Sequence, residues 1–119
     1  MKIGLQITKN EKKYNRLLSL IKNDFSQDVD FIHIPDEDSL KSNFKYLDAL
    51  VCYGIKKENF DYSSDKLKWI HIGASGVDGN LFPELIKSKV MITNAKGINA
   101  KPVAEFIMSQ VLYFSKQLY

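Results

Sequence analysis

Residues 49–53, Ala49-Leu50-Val51-Cys52-Tyr53, are apolar at every position, with Asp48 just before them and Gly54 just after. A strand that is apolar without alternation is covered on both faces, the situation of a parallel sheet between two layers of helices. Other short apolar segments surround it at regular intervals. Ile3 to Thr8 reads as a first strand and Val29 to Ile34 as a second; residues 49–53 are the third, Trp69 to Ile72 the fourth and Val90 to Thr93 the fifth.

Helical spacing fills most of the gaps. Asn10 offers an N-cap to a helix whose stripe is Tyr14, Leu17, Leu18, Ile21 and Phe25. Pro35 to Ser39 reads as a turn ending in a cap, followed by a short helix carrying Leu40, Phe44 and Leu47. Residues 55–66 are polar and irregular, and Asn80 to Ser88 reads as a short helix. A last helix starts near Asn99 or Ala100, with Pro102 tolerated in its first turn. Its apolar face is Val103, Phe106, Ile107, Val111, Phe114 and Leu118. This pattern predicts the α/β class: a flavodoxin-like doubly wound parallel sheet of five strands in order 2-1-3-4-5. It occupies residues 1–98, and a further helix runs over 99–119.

Length and charge remove several functional classes. A chain of 119 residues fits one domain. The single cysteine, Cys52, forms no internal disulfide, and with only His33 and His71 it makes no zinc site, so no metal is expected. Cys52 reads as a small buried hydrophobe. The 17 basic residues exceed the 14 acidic ones by three but are spread along the chain, so no nucleic-acid partner is expected. No apolar run approaches the ~20 residues of a membrane span. The N-terminus alternates and then meets Lys9, unlike a signal peptide, and with the lone thiol this points to the cytoplasm.

Ligands of such sheets sit at the carboxyl ends of the strands. That rule selects Thr8-Lys9-Asn10, Tyr53-Gly54, Gly73 to Gly79 and Asn94 to Gly97. The Gly73–Gly79 loop is the most informative. Its small residues allow close approach to the backbone, and its N–H groups at a helix start favour an anion. A plain tight turn explains the same glycines equally well. Neither G-x-G-x-x-G nor G-x-x-x-x-G-K occurs, so no dinucleotide or nucleotide phosphate loop is present. The first loop lacks the Ser/Thr/Gly character of a flavin phosphate site, and the acidic residues of a phospho-receiver are missing. His33 and His71 lie inside strands and read as structural, and Ser75 has no base beside it in sequence.

From Leu67 onward the chain resembles the D-isomer-specific 2-hydroxyacid dehydrogenase family. The resemblance rests on Leu67-Lys68-Trp69-Ile70-His71, Ser75-Gly76-Val77-Asp78, Phe82-Pro83-Glu84-Leu85, residues 90–97 (VMITNAKG) and Pro102-Val103-Ala104-Glu105. The first 66 residues match only in their strand and helix pattern. The resemblance implies a flavodoxin-like substrate domain, with residues 99–119 as a crossover helix leading toward an NAD(P)-binding Rossmann domain. It implies that backbone groups of Ser75 and Gly76, beside Val77, hold the carboxylate of a small 2-oxo or 2-hydroxy acid. Tyr53 at the end of the third strand is a candidate pocket wall, with plain packing as its other reading. The family's dinucleotide glycines, catalytic arginine, acid and histidine would lie beyond Tyr119. The 119 residues alone are therefore expected to be inactive and to bind no cofactor, with NAD or NADP used by the complete enzyme. The rival reading is a stand-alone, non-catalytic flavodoxin-like module that binds a small carboxylate or a protein partner. The apolar width of the last helix predicts a homodimer or an exchange through that helix.

Overall fold

The computed structural model describes residues 1–25 and 28–119. Five parallel strands form one sheet in the order β2-β1-β3-β4-β5, as the sequence predicts. They are β1 (Lys2–Gln6), β2 (Asp30–His33), β3 (Ala49–Cys52), β4 (Trp69–Ile72) and β5 (Met91–Asn94). The helices between them are α1 (Glu11–Ile21), α2 (Glu37–Asn43), α3 (Lys57–Phe60) and α4 (Pro83–Lys87), with α5 (Ala100–Ser115) following the last strand. In register, Ala49 stands opposite both Ile3 and Trp69, and Trp69 opposite Met91, so the strand ends form level edges.

Alternation along each strand divides the core between the two faces. Leu50, Cys52, Ile70 and Ile72 point to one face, where they meet Ile34, Leu40, Phe44, Leu47 and Leu85. Ile3, Leu5 and Ala49 point to the other and meet Tyr14, with Leu18 and Ile21 of α1 packed alongside. Thus α2 and α4 cover one face and α1 the other. The second face is more open toward its β5 edge, where Trp69, His71 and Thr93 are half-buried and Met91 is exposed. The thin helix cover is offset by one polar lattice: Thr93 Oγ1 accepts from Trp69 Nε1 at 2.8 Å and pairs with His71 Nδ1 at 2.9 Å.

Several local expectations change. Asn10 caps α1 as expected, its Oδ1 accepting from Lys13 N–H at 3.1 Å. Phe25, however, lies beyond the helix end and is exposed, packing edge-on against Phe31. The cap of α2 is Asp36, not Ser39: Asp36 Oδ1 accepts from Ser39 N–H at 2.8 Å, so the helix starts three residues earlier. Phe44 closes that helix in a 3₁₀ turn and, with Leu47, is fully buried. Residues 55–66, polar and irregular in sequence, contain the single turn α3, held by buried Ile55 and Asn59. The helix expected over 80–88 is confined to Pro83–Lys87, with Pro83 in its first turn and a 3₁₀ turn over Asp78–Asn80 ahead of it.

The helix α5 forms where expected but buries no residue. Its sixteen residues extend about 24 Å at the usual helical rise. The Cα radius of gyration is 18.1 Å, against about 13 Å for a compact chain of this length.

Candidate functional site

Three loops converge at the carboxyl edge of β3, β4 and β5. The loop after β4, residues 73–79, is the centre of the site. Gly73 N–H still belongs to the sheet, donating to Cys52 O at 2.7 Å, and Asn80 N–H closes the 3₁₀ turn on Val77 O at 2.7 Å. Between them, among the described residues, none of the N–H groups of residues 74–79, those of Ser75, Gly76 and Val77 included, donates to a protein acceptor. Ser75 and Gly76 are exposed and Val77 half-buried. Successive unpaired backbone N–H groups in a turn are the kind of donor that binds anions. A Cβ built on Gly76 would meet only Asp78 Oδ2, at 3.9 Å. The glycine is therefore not required by packing, and the space above it is open to a ligand.

Two asparagines hold the three loops together. Asn94, the last residue of β5, donates from Nδ2 to Ser75 O at 2.8 Å, which fixes the peptide next to the free donors. Asn80 reaches across to β3: its Oδ1 accepts from Ile55 N–H at 2.8 Å. A Cβ on Gly54 would stand 2.8 Å from that same oxygen, so the glycine makes room for the clasp. Sequence reasoning does not single out Asn80, and it reaches Asn94 only as part of a strand-end stretch. A long-range side-chain hydrogen bond leaves no periodic trace. A polar residue placed just past a strand end is the one available signal.

Tyr53 stands between this loop and a second crevice. Its ring edge lies against Gly73, where a Cβ would come within 3.2 Å of Cε1. The ring also lines a cavity of about 390 Å³ with Gln6, Thr8, Lys9 and Asp36. This cavity lies over the ends of β1 and β3, where the strand order reverses. Tyr53 is 63% exposed and is not a core residue. Tyr53 lies against Gly73, at the start of the loop that carries Ser75, Gly76 and Val77, and Lys9 lines the same cavity as Tyr53.

His33 and Cys52 are held in structural roles. The imidazole of His33 stacks on Tyr14 at 4.2 Å between ring centroids, and its Nε2 meets Thr8 O at 2.8 Å. A carbonyl only accepts, so Nε2 carries the proton. Burial pushes the Cys52 thiol up to about 11, despite a backbone hydrogen bond with Gly54 that acts the other way. Its sulfur is accordingly no nucleophile at neutral pH. Among the described residues no group of acids, histidines and cysteine is placed to hold a metal ion. Among the described residues no helix is long and apolar enough to cross a membrane.

No family model matches the chain. Over 81 residues, 67% of its length, it is 32% identical to an erythronate-4-phosphate dehydrogenase of Legionella pneumophila subsp. pneumophila (strain Philadelphia 1). It is 31% identical to a protein of the same name from Legionella pneumophila strain Lens. Both belong to the family suggested by residues 67–105. The chain is similar to part of a D-2-hydroxyacid dehydrogenase. It spans 23% of the length of these curated relatives. The crystal structure of the PH0520 protein from Pyrococcus horikoshii OT3 matches 98% of this chain and 34% of its own, at a TM-score of 0.62 and 21% identity. That likeness carries the fold alone.

Proposed function

We propose that this chain is the substrate domain of a D-2-hydroxyacid dehydrogenase acting in the cytoplasm. Its role is to hold a 2-oxo or 2-hydroxy acid by the carboxylate. The reading rests on one observation: adjacent free N–H donors in the loop that carries Ser75, Gly76 and Val77, tied to β5 by Asn94 through Ser75 O and flanked at Gly73 by Tyr53. The similarity of the chain to enzymes of this family agrees with it. Preorganised backbone donors orient the acid without spending side-chain entropy on it. The relatives' name suggests a substrate of the phosphorylated four-carbon acid type.

In the complete enzyme NAD or NADP would exchange hydride with C2 of the acid. The residues present do not fit a dinucleotide. At the β1–α1 turn, where a pyrophosphate would need free amides, Thr8 Oγ1 accepts from Asn10 N–H and Asn10 Oδ1 from Lys13 N–H, both at 3.1 Å. The turn has already satisfied these donors, and it carries no glycine between Gln6 and Glu11. No step of hydride transfer is assigned to these residues.

The experiment is Gly76→Val in the complete enzyme. The branched side chain has room within the fold but occupies the approach to the donors. KM for the oxo acid should rise at least about tenfold, equivalent to about 1.4 kcal/mol. An unchanged KM would remove the assignment. We also propose that α5 pairs with a second copy, since Phe106, Ile107 and Phe114 are otherwise left in water. Light scattering on the 119-residue chain at tens of micromolar should show a dimer, and a monomer of 13.7 kDa would contradict it.

A further inference from the structure

At the amino edge of the sheet, opposite the loops just described, a cavity of about 570 Å³ opens between the segments that lead into β4 and β5. Three lysines line it: Lys68 one residue before β4, and Lys87 and Lys89 just before β5. Adjacent parallel strands start about 4.8 Å apart, and Met91 N–H donates to Lys68 O at 2.9 Å, so the two segments are neighbours at the rim. One acid, Asp65, shares the lining, leaving a local charge of about +2.

Lys56 and Lys57 are paired with Glu37 and Glu84; among the described residues Lys68, Lys87 and Lys89, like most lysines of the chain, form no ion pair, and Lys87 is one of the charges that hold the Glu84 carboxyl below its usual range. Lys68 Nζ donates to Asp65 O at 2.5 Å. The serine hydroxyls at the rim are partly committed: Ser64 Oγ donates to Lys45 O and Ser88 Oγ to Leu85 O, both held against the backbone. The floor is apolar, made by Phe60, Leu67 and Val90.

Like charges gathered around a concave, partly apolar surface repel one another unless an anion joins them. Lysine ammonium groups are point-charge partners for phosphate. We propose that this cavity is a second binding site, taking a small phosphate ester whose phosphoryl group lies among Lys68, Lys87 and Lys89 and whose apolar part rests on Phe60, Leu67 and Val90. The site is separate from the carboxylate loop: a four-residue strand of about 13 Å lies between the two edges, so one small ligand does not occupy both. Occupancy of this site is independent of the oxidoreductase reading.

The test is a titration of the isotope-labelled 119-residue chain with phenyl phosphate, and separately with inorganic phosphate, followed by amide NMR. Phenyl phosphate should move Ser63, Ser64 and the amides from Lys87 to Val90, saturate with a Kd of about 1 mM or tighter, and bind more tightly than inorganic phosphate. The double variant K87Q/K89Q, with both changes on exposed side chains, should keep its fold and weaken binding at least about tenfold. Shifts that never saturate, shifts confined to residues 75–77, equal affinity for the two phosphates, or an unaffected double variant would each overturn the proposal.

Discussion

Leu50, Ile70 and Ile72 at the centre of the sheet are fully buried, each held between two strands and a helix layer. The sixteen residues of α5 are rich in similar side chains, yet Val103, Phe106, Ile107 and Val111 are all exposed. The contrast is one of neighbours, not of composition. Every apolar residue of β3 and β4 has a partner supplied by residues 1–94. The partners of α5 are not among the described residues. A helix that is apolar on most sides is normally enclosed on most sides, which is why its surface, and not the sheet, raises the question of assembly.

The sharpest way to break this contrast is truncation of one aromatic side chain in each region. Phe44→Ala should cost about 3–5 kcal/mol in denaturant unfolding, because Phe44 has no exposed surface and its removal leaves a cavity. Phe106→Ala, measured at low micromolar concentration, should stay within about 0.5 kcal/mol of the parent. A large loss at Phe106 that grows with protein concentration would show the helix already covered by another copy.

Alkaline pH tests the packed region alone. The Cys52 thiol is raised in the fold from 9.0 to about 11. Its folded pKa lies above its unfolded one, so its contribution is complete below pH 9 and is lost as the pH rises through 11. The loss should approach about 2–3 kcal/mol, since each tenfold change in acidity is worth about 1.4 kcal/mol. Cys52→Ala should lower stability at neutral pH but remove this part of the pH dependence. A decline of equal size in the variant would assign it to other groups.

Asn80→Ala should destabilise by about 1–3 kcal/mol, since the Ile55 N–H is left without its acceptor in a part-buried setting. The smallest effect belongs to Ser75→Ala. The proposed donor there is the backbone, so stability and KM should both stay within about twofold of the parent. A tenfold rise in KM would transfer the role to the hydroxyl.

The sheet was legible because its central strand, residues 49–53, is apolar at every position, a pattern that leaves little alternative to a parallel, double-covered arrangement. The order of strands followed from the number of βα units, five in about 100 residues, which matches the flavodoxin-like arrangement. Features set by single hydrogen bonds were not legible. Asp36, Asp38 and Ser39 are all competent caps, and only the chain path after Pro35 selects Asp36. The α3 turn has no stripe, only Ile55 and Asn59 anchored singly among charged residues. At the candidate site the loop was visible through its glycines, and Tyr53 through its place at a strand end. The clasps from Asn80 and Asn94, 25 and 19 residues from their partners, have no local signature.

The most direct measurement is amide NMR of the chain during titration with pyruvate. Carboxylate capture by the loop after β4 predicts that Ser75, Gly76 and Val77 N–H signals move downfield together, that Gly76→Val abolishes the shifts, and that Ser75→Ala leaves them. Unmoved signals at these three residues up to a saturating response elsewhere in the chain would contradict it.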